Sequence, residues 1–248
     1  MVFIKGLILS AGYATRLWPL TKNKPKSLLD IKGKPMIEHI VAHFTEIKGI
    51  DEILVVTNEK FAQDFEDWAA GFKFPIPIKI INDMTTSNED RKGAIGDMKY
   101  VIDEAKIDDG LLVIAGDNLF EYKLAEFYKF FLQKKASVVA CKDMGSTDEI
   151  KEKYGAVQLD EGNRVIGFEE KPVNPKSTLA ATACYIFTHE DLKSIENYIE
   201  AGNKPDNAGD FVKWLSNHKH VYGFVFAEKW YDIGSFESLG KAREEFDG

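Results

Sequence analysis

The chain has 248 residues, enough for one large α/β domain or two small ones. Its 44% hydrophobic and 29% charged residues are those of a globular protein, and no apolar run approaches the roughly 18 residues of a membrane span, which excludes a membrane-spanning helix. Forty acidic side chains against 32 basic ones leave a net charge of −8, which argues against broad nucleic-acid binding and suits a cytoplasmic enzyme.

Phe3–Ser10 reads as a buried strand rather than a secretory signal, because the apolar stretch is short and runs into Arg16 and several lysines. A polar loop with Pro19 and Pro25 follows. Pro35 opens a helix whose face carries Met36, Ile37, Ile40, Val41, Phe44 and Ile47, with Gly49 at its end. Next come a strand at Ile53–Thr57, an amphipathic helix at Glu59–Gly71, a strand at Ile76–Ile81, a long polar loop and a helix at Ala94–Ala105. The apolar strand Leu111–Ala115 ends in Gly116-Asp117-Asn118. This rhythm predicts a parallel sheet with helices on both faces, and ligands at the carboxyl ends of its strands.

The second half mixes its elements. Leu124–Lys135 reads as a helix and Ala136–Cys141 as a strand; Ala156–Leu159 and Val165–Glu169 form a hairpin across Asp160–Asn163. Strands follow at Ala180–Phe187 and Val221–Ala227, and helices at Glu190–Glu200, Phe211–Asn217 and Phe236–Phe246. Cys141 and Cys184 lie in apolar runs without C-x-x-C spacing, so reduced core thiols are expected. His39 and His43 are four apart but lack the H-E-x-x-H pattern of a zinc site. Phe127, Phe130 and Phe131 leave two readings open, core or an interface between copies of the chain.

The loop after the first strand concentrates positive charge. Residues 16–35 hold Arg16, Lys22, Lys24, Lys26, Lys32 and Lys34 against one acid, Asp30. A positive loop of small residues at a strand's carboxyl end suits a polyphosphate. It is not a P-loop, since G-x-x-x-x-G-K-[ST] is absent. It is not a dinucleotide loop either, since G-x-G-x-x-G is unmatched and Pro19 and Pro25 prevent an immediate helix.

Gly12-Tyr13-Ala14-Thr15-Arg16-Leu17-Trp18-Pro19 followed by Lys24-Pro25-Lys26 resembles the signature of the sugar-1-phosphate nucleotidyltransferases, or NDP-sugar pyrophosphorylases. The resemblance continues in order through Gly116-Asp117-Asn118, Tyr154-Gly155, Glu169-Glu170-Lys171-Pro172 and Trp230-Tyr231-Asp232-Ile233-Gly234-Ser235. Each motif alone has a plain structural explanation: a strand end at Asp117, an exposed charged pair at Glu170-Lys171, core aromatics at Trp230 and Tyr231, a turn at Asp232. Their common order is what carries the resemblance.

The resemblance implies a Rossmann-like three-layer α/β/α nucleotidyltransferase fold with a mixed, mostly parallel central sheet. It also implies one catalytic domain over residues 1–248, with residues 1–120 the nucleotide half and 121–248 the sugar-phosphate half. Arg16, Lys26 and Asp117 are the implied catalytic residues. Leu9, Ala11, Gly12, Tyr13, Ala14, Thr15, Arg16, Asn88 and Gly93 would bind the nucleotide. Gly155, Glu170, Lys171 and Thr182 would bind the sugar phosphate, and Asp117 and Asp232 would ligate Mg²⁺. The implied partners are an NTP and a sugar 1-phosphate, with no nucleic acid or membrane and with homo-oligomerisation left open.

Three departures bear on specificity. Ala14 stands where relatives carry a second glycine, and the segment 82–96 holds Gly93 but no glutamine. Asn88, Thr86 or Ser87 would then contact the base, and Arg91 would meet a phosphate or a carboxylate. Asp206–Asp210 replaces an acidic segment of long thymidylyltransferases, which bears on the sugar. The expected substrates are dTTP or UTP with glucose 1-phosphate. GTP- or CTP-dependent activity is the alternative, and a non-catalytic nucleotide or sugar-phosphate sensor is the reading from a different class.

Overall fold

The structure is a computed structural model and describes residues 4–247. Phe3, the expected start of the first strand, lies outside them. The first half runs β1 (Ile4–Leu9), β2 (Asp30–Ile31), β3 (Lys34–Pro35), α1 (Met36–Phe44), β4 (Ile50–Thr57), α2 (Ala62–Gly71), β5 (Ile78–Asn82), α3 (Gly93–Ala105) and β6 (Gly110–Ala115). The second half runs β7 (Asn118–Phe120), α4 (Leu124–Lys134), β8 (Val138–Asp143), β9 (Ala156–Leu159), β10 (Val165–Glu169), β11 (Leu179–Phe187), α5 (His189–Leu192), α6 (Ser194–Glu200), α7 (Ala208–Ser216), β12 (Tyr222–Phe226), β13 (Trp230–Asp232) and α8 (Phe236–Glu245). Among the described residues no helix is long and apolar enough to cross a membrane.

Local chemistry sets the element ends. Pro35 precedes α1 in an extended conformation, where its missing N–H costs nothing. α1 stops at Phe44, short of the expected Gly49, because the Thr45 hydroxyl donates to the Ala42 carbonyl at 2.7 Å and the chain turns there into β4. The expected helix 190–200 is two helices, α5 and α6, that meet at Lys193. α8 starts with a capping box between Ser235 and Ser238.

Nine strands form one mixed sheet. Its order is β10-β9-β11-β6-β1-β4-β5, with β8 on the other edge of β11 and β12 on β8. β1 pairs in parallel with β4 and β6, as do β4 with β5 and β8 with β12. β11 is antiparallel to β6, β8 and β9, and β10 is antiparallel to β9, so β10 and β11 alone run against the rest of the sheet.

Alternate residues of the strands face opposite layers. Ile8, Val55, Leu112, Ile114 and Ala140 pack with α1, α4 and α8 through Phe44, Phe127 and Leu239. Leu7, Val56, Leu111, Val113 and Val139 pack with α3, α6 and α7 through Met98, Ile195 and Phe211. The sheet is therefore the middle of three layers. Phe127 and Phe131 are buried and Phe130 packs against the same core, which resolves that stretch as core. Cys141 and Cys184 are free and buried, as expected. His39 Nε2 lies 2.9 Å from the Ile31 carbonyl and His43 Nδ1 2.8 Å from Glu46, so each has a structural partner.

β11 is the strand that makes room for a site. Its second half, Cys184–Phe187, pairs with β6, while Leu179 and Ala180 pair with β9. Between them the register with β8 shifts, and Ala183 adopts a left-handed φ of 51°. The sheet opens there, just beyond the carboxyl end of β6.

A buried acid pair joins β5 to α3. Asp83 accepts from the Thr85 N–H and hydroxyl, both at 2.7 Å, and Asp97 on α3 lies against it. Burial, then Asp83, push the Asp97 carboxyl up to about 8, with Lys92 opposing. The folded protein therefore binds a proton at Asp97 that the unfolded chain releases near pH 3.8. Stability from this site is full below about pH 4 and falls as pH rises towards about 8. Asp97→Asn keeps a donor towards Asp83 without the ionisation, so it should flatten this slope and stabilise the protein by about 1 kcal/mol or more at pH 8. Urea unfolding from pH 4 to 9 checks this; an unchanged slope would remove Asp97 as its source.

Candidate active site

A cleft of about 290 Å³ lies at the opening in the sheet. Its walls include Leu9, Arg16, Ala115 and Asp117 from the first half and from the end of β6, and Gly155, Glu170, Lys171, Thr182 and Asp232 from the second. Eight residues expected in the site from sequence, far apart along the chain, thus line one cavity. Asn118, Tyr154, Trp230 and Asn207 line it as well.

The loop after β1 is held from beneath. The Asn58 amide donates to the Ala11 carbonyl at 2.8 Å, the Tyr13 hydroxyl to the Thr85 carbonyl at 2.9 Å, and the Thr21 hydroxyl to the Ala14 carbonyl at 2.8 Å. Ala11 and Tyr13 are buried, whereas Gly12, Thr15 and Arg16 are exposed. Only the backbone of the first two can therefore meet a ligand. Ala14 takes φ 46° and ψ 41°, a left-handed conformation that costs an alanine about 1–2 kcal/mol. The loop thus keeps a glycine-like backbone with a methyl group on it. The loop's charge divides: Arg16 lines the cleft and Lys26 meets Asp117, while Lys32 turns away to the Glu244 carbonyl at 2.8 Å.

Asp117 and Asp232 come together through β7 and β13, whose register sets Asp232 opposite Asn118. The Ile233 N–H donates to the Asp117 carbonyl at 2.9 Å. Lys26 Nζ donates to Asp117 Oδ2, and the Asn118 amide donates to Asp117 Oδ1 at 2.8 Å. The Trp230 indole N–H holds Asn118 Oδ1 in turn, at 2.6 Å. Burial would raise the Asp117 carboxyl, but Lys26 together with hydrogen bonds from the Asn118 amide and the backbone holds Asp117 below the usual carboxylate range. Asp232 goes the other way: burial, then Asp117, push it up to about 6 against Lys26, Arg16 and Lys171.

Two half-buried, mutually repelling carboxylates at a cleft fit a divalent cation that keeps its other positions for phosphate oxygens and water. Among the described residues no cluster of three or more His, Cys, Asp or Glu offers a metal an all-protein cage. Arg16 lies over Gly234, where a Cβ would sit 3.4 Å from its Nη2. The guanidinium is thus close to Asp232, whose carboxyl it helps to lower.

The far wall is built for close approach. A Cβ on Gly155 would fall 2.7 Å from the Phe168 ring and 3.2 Å from Glu170 Oε2. Burial raises the Glu170 carboxyl, Lys171 opposes and Asp210 adds. Lys171 itself adopts φ 43°, a strained turn at the cleft wall. The Thr182 hydroxyl is committed to the Ala140 carbonyl at 3.0 Å, which leaves its backbone to face the cleft.

The segment 82–96 ties up several of its own polar groups. Thr86 and Ser87 direct their N–H and hydroxyl groups to the Asp90 carboxylate, which those bonds lower to about 2. Asn88 is exposed and does not line the cleft. Of the two partners open to Arg91, the carboxylate is found: its guanidinium lies 3.3 Å from Asp206. A Cβ on Gly93 would meet the backbone of Pro205 and Asp206, and its neighbour Ala94 lines the cavity. Sequence reasoning assigned no role to Asn118, Trp230 or Tyr154, although they stand inside the quoted motifs. Their signal is the hydrogen bond from Trp230 to Asn118 and the edge contact of Trp230 with Tyr154 at 4.9 Å.

The family model for nucleotidyl transferases matches residues 5–247. The chain is 32% identical over 230 residues to the bifunctional protein GlmU of Methanocaldococcus jannaschii, covering 92% of this chain and 50% of that protein. It is 26% identical to glucose-1-phosphate adenylyltransferase of Fervidobacterium nodosum, covering 97% of this chain and 60% of that one. The chain thus spans about half to three fifths of these relatives. Its fold is that of UDP-glucose pyrophosphorylase solved with UDP-glucose, with a TM-score of 0.83 at 23% identity, over 99% of this chain and 98% of the other. The match along nearly the whole described chain, together with the ordered motifs that meet in one cleft, makes this protein a member of the nucleotidyl transferase family.

Proposed function

We propose that the cleft joins a sugar 1-phosphate to the nucleoside monophosphate part of an NTP. A phosphate oxygen of the sugar phosphate forms a bond to the α-phosphorus as the bond from that phosphorus to the bridging oxygen breaks, and pyrophosphate leaves with the electron pair. The nucleophile is already an anion, so no general base is required. The difficulties are repulsion between two anions and charge gathering on the leaving group, and both call for positioning and electrostatics.

One observation carries the reading: Arg16, Asp117 with its partner Lys26, Asp232, Glu170 and Lys171 converge on a single cavity. Arg16 and the backbone of the loop at Gly12 and Thr15 would hold the pyrophosphate end. Lys26 would neutralise the α-phosphate, leaving Asp117 as the nucleotide enters. Lys171 would orient the sugar phosphate, and Glu170 would accept hydrogen bonds from sugar hydroxyls across the bare backbones of Gly155 and Gly209. Mg²⁺ held by Asp117 and Asp232 would supply charge neutralisation at the phosphates when bound.

For substrates, dTTP or UTP with glucose 1-phosphate is the first pair to test, and the adenylyltransferase relative adds ATP to the panel. Pyrophosphate release with each of five NTPs and several sugar 1-phosphates should single out one preferred pair. Release with every base at equal efficiency would contradict a base-selective site, and strict preference for GTP or CTP would replace the first pair.

A further inference from the structure

Asp83, just after β5, and Asp97, in the second turn of α3, are two buried acids set against each other. Asp83 Oδ1 accepts from the Thr85 N–H and hydroxyl. Asp83 Oδ2 and Asp97 Oδ1 are buried with no donor from any described residue. Lys92 acts on Asp97 from the start of α3, but its ammonium lies over the Tyr100 ring, 5.0 Å from the ring centre. A carboxylate can only accept, so two facing carboxyls bond only when one carries a proton, and without it they repel. The pair is a proton-dependent joint between α3 and the end of β5.

The joint reaches the loop after β1 through Thr85. The Thr85 carbonyl accepts from the Tyr13 hydroxyl at 2.9 Å and from the Glu59 N–H at 3.0 Å. Tyr13 is buried between exposed Gly12 and left-handed Ala14, so its ring fixes the backbone on either side. Asp97, Asp83, Thr85 and Tyr13 are all buried. A displacement at one end of this series therefore meets packed neighbours and not solvent.

We propose that Asp97 is a positioning residue for the nucleotide: the proton it shares with Asp83 holds Thr85 in place, and Thr85 holds Tyr13 and the loop after β1. The proposal rests on the NTP reading above. The shared proton leaves as pH rises through about 8. The two anions then push α3 and the end of β5 apart, and the loop loosens. The other groups around the pair and Tyr13 are Lys92, Tyr100, Glu89 and Asp90. Asp90 is lowered to about 2, burial raises both tyrosines above their ordinary value, and Asp232 in the cleft, at about 6, is largely ionised by pH 7.

Hydrogen exchange and steady-state kinetics on the full chain test this between pH 7 and pH 9. After correction for intrinsic rates, residues 10–17 of the free protein should lose protection by at least about 5-fold over that range, while α4 keeps its own. Asp97→Asn, which donates to Asp83 at every pH, should abolish the loss. With the preferred pair from the substrate panel, the wild-type nucleotide KM should rise by at least about 3-fold and the sugar-phosphate KM stay within about 2-fold, and Asp97→Asn should hold both level. Asp97→Ala, which has no donor, should behave at pH 7 as wild type does at pH 9. Equal protection of residues 10–17 at both pH values, or a pH response that Asp97→Asn retains, would overturn the proposal. Protection lost as expected in a protein that turns over no pair would uphold the joint and overturn the NTP reading instead.

Discussion

Asp117→Asn is expected to lower turnover by at least about 100-fold at saturating substrates, and added NTP should not restore it. Asp117 is the meeting point of the site: Lys26 and the Asn118 amide donate to its two oxygens, and its charge adds to burial in raising Asp232. An amide at this position keeps the shape. It removes the anion that pairs with Lys26 and lowers the affinity of the acid pair for a divalent cation. Ground-state binding of the nucleotide should change less, because Arg16 and the pinned loop remain. A variant with near-wild-type turnover would move the metal assignment away from this turn, and the affinity for Mg²⁺ measured beside it should fall with activity.

Gly116→Ala should be the most damaging small substitution in the chain. A Cβ there would lie 2.2 Å from Ser10 Oγ, 2.6 Å from Ser27 Oγ and 3.0 Å from the Leu9 carbonyl oxygen. Those two serines are hydrogen-bonded to each other at 2.9 Å, and the Gly116 N–H donates to that same carbonyl at 2.8 Å, so the methyl group has nowhere to go. Relief requires β6 to pull away from β1, which costs about 1–3 kcal/mol by overpacking. It also displaces Asp117, the next residue, and an error of about 1 Å at a reacting group can cost about 100-fold in rate. Urea unfolding and turnover should therefore fall together. Adding Ser27→Ala should return part of both losses by vacating one of the two hydroxyl positions. A Gly116→Ala protein with wild-type stability and rate would show that this turn tolerates the movement.

The fold was legible wherever a single periodicity ruled a segment. β1, β6 and α1 follow from runs of Ile, Leu and Val, or from apolar residues every third or fourth position. The hairpin of β9 and β10 follows from its turn residues, where Asp160 accepts from the Gly162 and Arg164 N–H groups. β7 and β13 are three residues each and far apart in sequence, too short for any pattern, so the pairing that sets Asp232 opposite Asn118 is visible only in three dimensions. The site was legible as ordered motifs, of which Arg16, Asp117, Gly155, Glu170, Lys171 and Asp232 line one cleft.

What escaped is tertiary. The Asp83–Asp97 pair needs β5 packed against α3. The roles open to Arg91 and Gly93 depended on where residues 205–206 would fall, which no local spacing records. Ala14 shows the limit from the other side. A missing glycine suggests a changed loop, yet the backbone there is left-handed all the same, because Thr21, Asn58 and Tyr13 tie the loop down around it.

The central claim is attack on the α-phosphorus of an NTP by a sugar 1-phosphate. It is tested most directly by following label from an NTP carrying ³²P at the α-position, mixed with glucose 1-phosphate, Mg²⁺ and the protein. The account predicts that label passes into a sugar nucleotide, one unlabelled pyrophosphate being released per label transferred, and that a chelator stops both. Label that stays in the NTP across the whole panel of sugar phosphates, or that appears only as free nucleoside mono- or diphosphate, would contradict it.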